Sequence, residues 1–329
     1  MKKQLIRNLR LGDEVETQVL VLECSRVNFT APHRSGEHFL KLLLGDVSGS
    51  IKGVMWDTAQ LKEQVKKGDV VFIRGEVTDY HGLQVVISEM RPLDPDRVNR
   101  AFFQPVSARD PKEMLLELKE IINNLKEPHL KLLLVSLFND SEFTRRFAMA
   151  PAARTIHHNY VSGLLEHTLE VIAICRDLVK LYPDRLQLDL LVAGAVLHDI
   201  GKIEEYDLAS LNFDFTDRGK LVGHISIGKE ILDQKIAQIP DFPPRLKLEL
   251  EHMILTHHGK REWGSPEVPK TFHAFILFHA DLVSARLNQF VQVLEKHPRG
   301  TGDWTEWDRF LECSIYTSPP FETAGSPAE

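Results

Sequence analysis

The chain has 329 residues, of which 43% are hydrophobic and 26% are charged, and its formal net charge is −7. This length accommodates two domains, and no apolar stretch reaches the ~20 residues that a membrane-spanning helix needs. The N-terminus lacks the apolar run of a secretory signal, and the three cysteines form no CxxC pair, so we predict reduced thiols and a cytoplasmic location. The acidic balance is not typical of a non-specific nucleic-acid binder, although a local basic patch would be compatible with one.

Alternation of apolar and polar residues predicts five β-strands between Asp13 and Glu89. They lie in GDEVETQVLVLECSRV, HFLKLLLGDVSG, SIKGVMWD, DVVFIRGEVTDY and LQVVISEM. The stretch TAQLKEQVKKGD, between the third and fourth strands, is predicted to be helical. Because five strands with a helix after the third are typical of an OB-fold, we predict a five-stranded OB-like barrel in residues 1–95.

An OB barrel can bind a single strand by stacking bases on aromatic side chains beside basic ones. The loop RVNFTAPHRSGEHF, between the first two strands, is both basic and aromatic. The candidate residues for nucleic-acid binding are Arg26, Phe29, Arg34, Phe39, Lys41 and Trp56. Phe72 is predicted to lie in the core, whereas Phe39 and Trp56 are compatible with either core or surface. A barrel without a ligand is the alternative.

The second half of the chain is predicted to be all-helical. Prolines between Arg91 and Pro111 indicate a linker, and apolar residues then recur at three-to-four spacing. The predicted helices span 111–126, 128–138, 141–149, 160–182, 186–199, 222–238, 244–257 and 270–296. We assign residues 96–127 to a linker and strap helix, residues 128–297 to a helical domain, and residues 298–329 to a tail whose Pro- and Ser-rich end is predicted to be disordered.

Histidines and aspartates recur at or near the ends of separate predicted helices. His198 and Asp199 end an apolar helix in LVAGAVLHDIGK, and Asp281 lies among apolar residues in FHAFILFHADLVSA, where an unpaired carboxylate would cost several kcal/mol. The set is completed by His167, His224, His257 and His258. Imidazole with carboxylate ligands favours a transition metal over Mg²⁺, and the lack of cysteine disfavours a structural zinc site. Each pair alone could be an ordinary hydrogen-bonded or loop pair, but seven together predict a site for one or two divalent cations.

The segments HHNYVSGLLEHT, LHDIGK, GHISIG, THHG and HAD, in this order, resemble the HD superfamily of metal-dependent phosphohydrolases. This resemblance covers about residues 128–295. HHNYVSGLLEHT and WGSPE, together with the N-terminal barrel, resemble more narrowly the YhaM-type 3′→5′ exoribonucleases over nearly the whole chain except the tail. No GYP triplet follows HHG, so the cyclic-dinucleotide branch is less similar. The expected fold is an N-terminal OB-like β-barrel followed by an all-α HD domain.

The resemblance implies a metal-dependent phosphodiesterase that digests single-stranded RNA, or DNA, from the 3′ end. Two ions would generate the attacking hydroxide, and the products would be nucleoside 5′-monophosphates. The implied metal ligands are His167, His198, Asp199, His224, His257 and Asp281, with Asp199 bridging the ions. Mn²⁺ is the favoured ion, and Fe²⁺, Co²⁺ and Ni²⁺ are alternatives.

Three further residues are candidates for a direct part in catalysis. Lys202 would offset charge on the phosphoryl oxygens, or be a solvated helix-end lysine. His158, with His157, would bind substrate or protonate the leaving oxygen, or form a hinge before the helix. His258 is either a ligand or a phosphate contact.

Two other functions are compatible with the same motifs. One is an HD nucleotidase or phosphodiesterase acting on a small nucleotide, against which the barrel argues. The other is a nucleic-acid-binding regulator without catalysis, against which the intact ligand set argues.

Overall fold

The computed structural model describes residues 4–29, 36–59, 61, 64–94, 98–208, 210–211, 213–297 and 302–317. The chain divides into two compact units, Met1–Val106 with Ala209–Asp214 and Ser107–Leu208 with Phe215–Glu329. Among the described helices, none is both long and apolar enough to span a bilayer. Arg34 and the tail end, residues 318–329, lie outside the described residues.

The first unit is a closed five-stranded barrel. Its strands are β1 (Glu14–Asn28), β2 (His38–Asp46), β3 (Gly49–Met55), β4 (Val70–Asp79) and β5 (Leu83–Pro92). The strand order is β1-β2-β3-β5-β4, with β4 paired back to β1, and only the β3–β5 pair is parallel. Alternation along β1 places Val15, Val19 and Val21 in the core, as a half-buried strand requires. The predicted OB-like barrel is confirmed.

The helix predicted between the third and fourth strands is wrong for the described residues of the 58–69 segment, which form turns and irregular backbone. Val65 is buried against the barrel core, and Leu61 packs beside it. The segment then ends in a turn in which the Lys66 amide donates to Asp69 Oδ2 at 2.8 Å. A short isolated helix is marginally stable, so burying Val65 outweighs its helical propensity.

The second unit is helical. Its helices are α1 (Pro111–Asn123), α2 (Pro128–Phe138), α3 (Ser141–Met149), α4 (Gly163–Val179), α5 (Leu188–Leu197), α6 (Lys202–Glu205), α7 (Asp217–Val222), α8 (His224–Ile236), α9 (Pro244–Thr256) and α10 (Phe272–Lys296). All eight predicted helices form, with ends shifted by up to three residues, and α6 and α7 are additional. The predicted N-cap Asp110 accepts the Lys112 amide at 2.7 Å.

Helix α5 is the centre of this unit. Every residue from Leu190 to Leu197 is buried, because the helix is apolar on all sides and is packed by α4, α9 and α10. The C-terminal end of α5 therefore lies deep in the protein, and the two polar residues that follow it are buried with it.

Gly201 allows the turn after α5 to approach α8 closely. A Cβ on Gly201 would lie 2.0 Å from the His224 carbonyl oxygen and 2.7 Å from the Gly228 amide nitrogen. Gly228, on the α8 side of the same contact, has more room, since its Cβ would lie 3.4 Å or more from its nearest neighbours. Only the glycine at 201 is sterically required.

We predict opposite effects of alanine at these two glycines. Gly201→Ala should lower the free energy of unfolding by about 1–3 kcal/mol, the usual cost of overpacking. Gly228→Ala should be neutral or stabilising by up to ~1 kcal/mol, because alanine is the better helix former. Urea denaturation with a chelator present measures both. Equal stability of the two variants would show that the approach at Gly201 is not tight.

Candidate metal centre and nucleic-acid interface

The structure brings the seven predicted ligand residues together in the helical unit. His167 lies in the second turn of α4, His224 begins α8, and Asp281 is in the middle of α10. The others follow helix ends, with His198 and Asp199 after α5 and His257 and His258 after α9.

A strained loop positions α4. His158 and Ser162 have positive φ angles of 44° and 68°, and a Cβ on Gly163 would lie 2.0 Å from the His158 carbonyl oxygen. Asn288 of α10 fixes this loop by accepting the His158 amide at 2.8 Å. The glycine of the HHNYVSG segment is therefore needed for the chain to enter α4 and place His167.

Asp199 lies at the middle of the cluster, and its two oxygens face different groups of imidazole nitrogens. Oδ2 lies 3.2 Å from His198 Nε2 and 3.9 Å from His167 Nε2. Oδ1 lies 3.4 Å from His257 Nε2 and 3.6 Å from His224 Nε2. A carboxylate in this position can bridge two cations.

The flanking residues complete two groups. Asp281 Oδ1 lies 3.0 Å from His167 Nε2, on the Oδ2 side of Asp199. His258 joins His224 and His257 in a cluster whose ligand atoms all lie within 4.8 Å of one another, and His167, His198 and Asp199 form a second such cluster. This geometry is compatible with a ligand role for His258, which stays a prediction.

The histidine rings are held by their outer nitrogens. His198 Nδ1 donates to the Ala195 carbonyl at 2.8 Å, and His257 Nδ1 donates to the Ile254 carbonyl at 2.7 Å. Both residues cap a helix C-terminus, where backbone carbonyls lack helical partners. Because a carbonyl can only accept, the proton of each neutral ring is on Nδ1, and the Nε2 lone pair points into the cluster.

The rings of His224 and His167 are held by side chains that the sequence analysis did not identify. His224 Nδ1 contacts Glu205 Oε1 at 3.0 Å. His167 Nδ1 contacts Ser284 Oγ at 2.9 Å, and that hydroxyl donates to Glu170 Oε2 at 2.6 Å. Glu170 and Ser284 lie one helical turn away from His167 and Asp281, and this spacing was the only signal in the sequence for their role.

The electrostatics of the cluster keep Asp199 ionised and the His167 and His257 rings neutral near pH 7. Burial opposes ionisation of Asp199, but the Lys202 ammonium at 2.6 Å and the neighbouring imidazoles outweigh it and hold the pKa of Asp199 well below its usual range. Burial lowers the pKa of His167 and His257, so both are neutral. Burial also acts to lower the pKa of His198, but the charge of Asp199 outweighs it, so the pKa of His198 is raised.

The cluster contains buried polar atoms that the protein itself does not satisfy. Asp199 Oδ1, His224 Nε2 and His257 Nε2 lack a hydrogen-bond partner within the part of the chain that the structure describes. Buried polar groups are nearly always satisfied, and these atoms converge on one space. Imidazole nitrogen and carboxylate oxygen are the donors that divalent transition metals accept, so the residues present fit such ions.

A cavity of about 350 Å³ opens onto the cluster. Its lining includes Asp199, Lys202, His257, His258 and Asp281. His157 also lines it, and burial together with the neighbouring His167 lowers the pKa of His157 to about 3. His158 is fully buried, 3.2 Å from Glu170 Oε2, and does not line the cavity. Of the two histidines before α4, His157 is therefore the one that lines the cavity.

The barrel carries an aromatic cluster at the predicted strand-binding face. Phe29, Phe39 and Trp56 have ring centroids 4.7 to 6.2 Å apart, and Lys41 Nζ lies 6.0 Å above the Phe39 ring. Trp56 is 45% exposed, whereas Phe39 is 9% exposed and mostly packed beneath it. Phe72 is buried as predicted.

A groove of about 660 Å³ is lined by Phe39, Lys41 and Trp56, and Lys52 and Tyr80 also line it. Arg26 lies apart from it, in a second cavity with Lys66 and Lys67. Of the described candidates, Phe39, Lys41 and Trp56 therefore line one groove, Phe29 packs against two of these rings, and Arg26 lines a different cavity.

Comparison with known proteins identifies the family. The OB-fold nucleic acid binding domain family matches residues 19–93, and the HD domain family matches residues 164–286. A protein of Shouchella clausii is 33% identical over 96% of this chain and 97% of its own length. Proteins of Listeria innocua and Bacillus subtilis are also 33% identical, covering 98% and 94% of this chain and 100% and 96% of their own. All three are named 3′-5′ exoribonuclease YhaM. This chain belongs to the YhaM family.

The resemblance drawn from the motifs is confirmed, as is the barrel-plus-HD fold class. The HD domain implies divalent metal ions, which the histidine and aspartate clusters could hold.

We predict that acid destabilises this YhaM-family chain when it is metal-free. Burial lowers the pKa of His157 and His258 to about 3, whereas an unfolded histidine titrates near pH 6.5. The unfolded state therefore binds more protons as the pH falls below about 6.5, and each ring should remove about 1 kcal/mol of stability between pH 7.5 and 5.5. The raised pKa of His198 makes a contribution of opposite sign, because this ring binds a proton more tightly in the folded state and so adds stability as the pH falls.

The measurement is urea unfolding in EDTA, followed by circular dichroism of the helical unit. The His157→Gln, His258→Gln double variant should lose about 2 kcal/mol of this pH dependence, and the part that comes from His167 and His257, whose pKa values burial also lowers, should remain. An unchanged slope in the double variant would show that these rings do not carry it.

Proposed function

We propose that this chain is a metal-dependent 3′→5′ exonuclease that releases nucleoside 5′-monophosphates from single-stranded RNA. The single observation that carries the proposal is the arrangement around Asp199, in which each carboxylate oxygen faces its own pair of imidazole nitrogens. The polarity and the preference for RNA are taken from the named relatives.

Two ions are proposed, one on each side of Asp199. His167, His198, Asp199 and Asp281 would hold the first, and Asp199, His224, His257 and His258 the second. When bound, such ions supply charge that stabilises the phosphodiester transition state and lower the pKa of water. Mn²⁺ is proposed because its ligand preferences include both nitrogen and oxygen.

The protein's own residues position the substrate. Lys202 is buried beside the centre and lines its cavity, so its ammonium is placed to attract a phosphodiester that enters there. His157 lines the same cavity and is neutral at working pH because burial depresses its pKa. It can therefore donate or accept a hydrogen bond to the scissile group. His158 contacts Glu170, and Glu170 accepts a hydrogen bond from Ser284, whose hydroxyl contacts His167. His158 is thus proposed to help orient the His167 ring and not to contact the substrate.

The barrel is proposed to bind the body of the single strand. Trp56 presents an exposed face above Phe29 and Phe39, with Lys41 and Lys52 along the same groove. Stacking uses the π-face that every base has, so this binding would tolerate any sequence.

The metal centre is tested with Asp199→Asn, which keeps the shape of the side chain but removes the charge. We expect loss of Mn²⁺ binding by calorimetry and a fall in kcat/KM on single-stranded RNA of more than ~100-fold. Asn is preferred to Ala because its amide oxygen can still accept a hydrogen bond from the buried Lys202 ammonium, whereas Ala would leave that ammonium without any partner.

The matched control for that variant is Asp217→Asn, whose side chain is 98% exposed on the same unit. It should keep full metal binding and activity. Near wild-type turnover by metal-loaded Asp199→Asn would rule out the proposed mechanism.

The barrel is tested with Trp56→Ala. Loss of one stacked base is worth ~1–3 kcal/mol, so the Kd for a 20-nucleotide RNA should rise about 5- to 100-fold. Hydrolysis of a dinucleotide should not change, because it is too short to need the barrel. Trp56→Phe keeps a stacking surface and should restore most of the affinity. Unaltered binding by Trp56→Ala would mean that the strand follows another path.

A further inference from the structure

The cavity above Asp199 has walls that differ in chemistry from its floor. The floor is polar and carries Asp199, Lys202, His257 and Asp281. The walls are mainly aromatic and apolar, with Trp263, Phe278, Leu282, Ala285 and Phe310, and the polar residues Arg286 and Gln289 also line the cavity. Catalysis by the floor does not account for three aromatic rings around the opening.

Phe310 is held at the cavity by a segment that follows α10. Arg286 donates to the Phe310 carbonyl oxygen. Gln289, a buried polar residue, donates to Asp308 Oδ1 at 2.9 Å, and the same oxygen accepts the Phe310 amide at 2.9 Å. The backbone of Phe310 is thus fixed while its side chain remains 36% exposed. This residue lies outside the 164–286 match to the HD domain.

Trp263 and Phe278 form the wall next to His258. Their ring centroids lie 6.2 Å apart, and Trp263 is 44% exposed. Phe278 packs on the turn at Gly259, where a Cβ would lie 2.2 Å from its ring. His258 Nδ1 contacts the Trp263 carbonyl at 3.1 Å, so the metal-facing histidine and the tryptophan are positioned by the same turn.

A ligand whose phosphate lies on the floor would bring its attached nucleoside to these walls. A volume of about 350 Å³ is at the lower end of the ~300–1,000 Å³ of small-molecule sites, which is room for one nucleotide. Exposed rings at fixed positions are the usual means of holding a base through its π-face.

We propose that Phe310, with Trp263 and Phe278, forms a subsite that stacks the base of the 3′-terminal nucleotide. This inference rests on the proposed function. It assigns the selection of a single terminal nucleotide to the helical unit itself, and it makes the segment after α10 part of the substrate site.

The test compares binding of AMP and of ribose 5-phosphate in the presence of Mn²⁺, measured by calorimetry. The two ligands share the phosphate and the ribose, and only AMP has a base. Wild-type protein should bind AMP about 5- to 100-fold more tightly. Phe310→Ala should reduce that ratio by a similar factor and leave ribose 5-phosphate binding unchanged.

Two variants complete the design. Trp307→Ala removes a 68% exposed ring of the same segment that does not line the cavity, and should keep the wild-type ratio. Phe310→Leu keeps an apolar contact without a ring, and should resemble Phe310→Ala if stacking is the interaction. The subsite proposal would be wrong if Phe310→Ala kept the wild-type ratio of AMP to ribose 5-phosphate affinity. It would also be wrong if the variant lost affinity equally for both ligands.

Activity separates this proposal from the one on which it rests. Wild-type protein should cleave RNA with a 3′-terminal abasic nucleotide more slowly than intact RNA. Phe310→Ala should cleave the two RNAs at similar rates, because it has lost the contact with the terminal base. Failure of wild-type protein to cleave any RNA would refute the exonuclease, whereas cleavage that ignores the terminal base would refute only the subsite.

Discussion

The buried carboxylate of Asp199 determines how the rest of the helical unit is built. It follows a helix with no polar face, so it is carried into the interior, where an isolated charge would be prohibitively costly. Lys202 compensates it at 2.6 Å. Four imidazole nitrogens then surround the carboxylate within 4 Å. Since one lysine satisfies only one of its two oxygens, the arrangement leaves room for further positive charge on the other side.

Helix ends explain why histidines, and not acidic residues, occur at positions 198 and 257. A histidine that caps a helix can donate Nδ1–H to a carbonyl three residues earlier, as His198 and His257 both do. This bond satisfies an otherwise unpaired carbonyl, and it also aims Nε2 away from the helix. A shorter acidic side chain in the same position would have only acceptors to offer and could not make this contact.

The fold, and the histidines and aspartates that the structure brings together, could be predicted from the sequence. The alternating strands and the N-cap at Asp110 are encoded within a few residues, and five of the seven predicted ligand residues lie at a helix end. The helix predicted in residues 58–69 failed because burial of Val65, a tertiary contact, decided the conformation. Glu170 and Ser284 were not identified because their role depends on how α4 packs against α10. Phe310 was missed for the same reason, since a single phenylalanine in an irregular segment carries no sequence signal of its distant partners.

The net charge of −7 is compatible with a polyanionic substrate once charge is considered locally. Asp199 and Asp281 bring two negative charges to the centre, and Lys202 offsets one of them. Two divalent cations would add four positive charges at the floor of the cavity, enough to reverse the sign of the potential where a phosphodiester enters. The walls above that floor are mainly aromatic and apolar, with Arg286 as their basic residue, and exposed rings add affinity for a nucleotide without adding charge. Attraction of the phosphate would thus depend on bound metal, whereas stacking of the base would not.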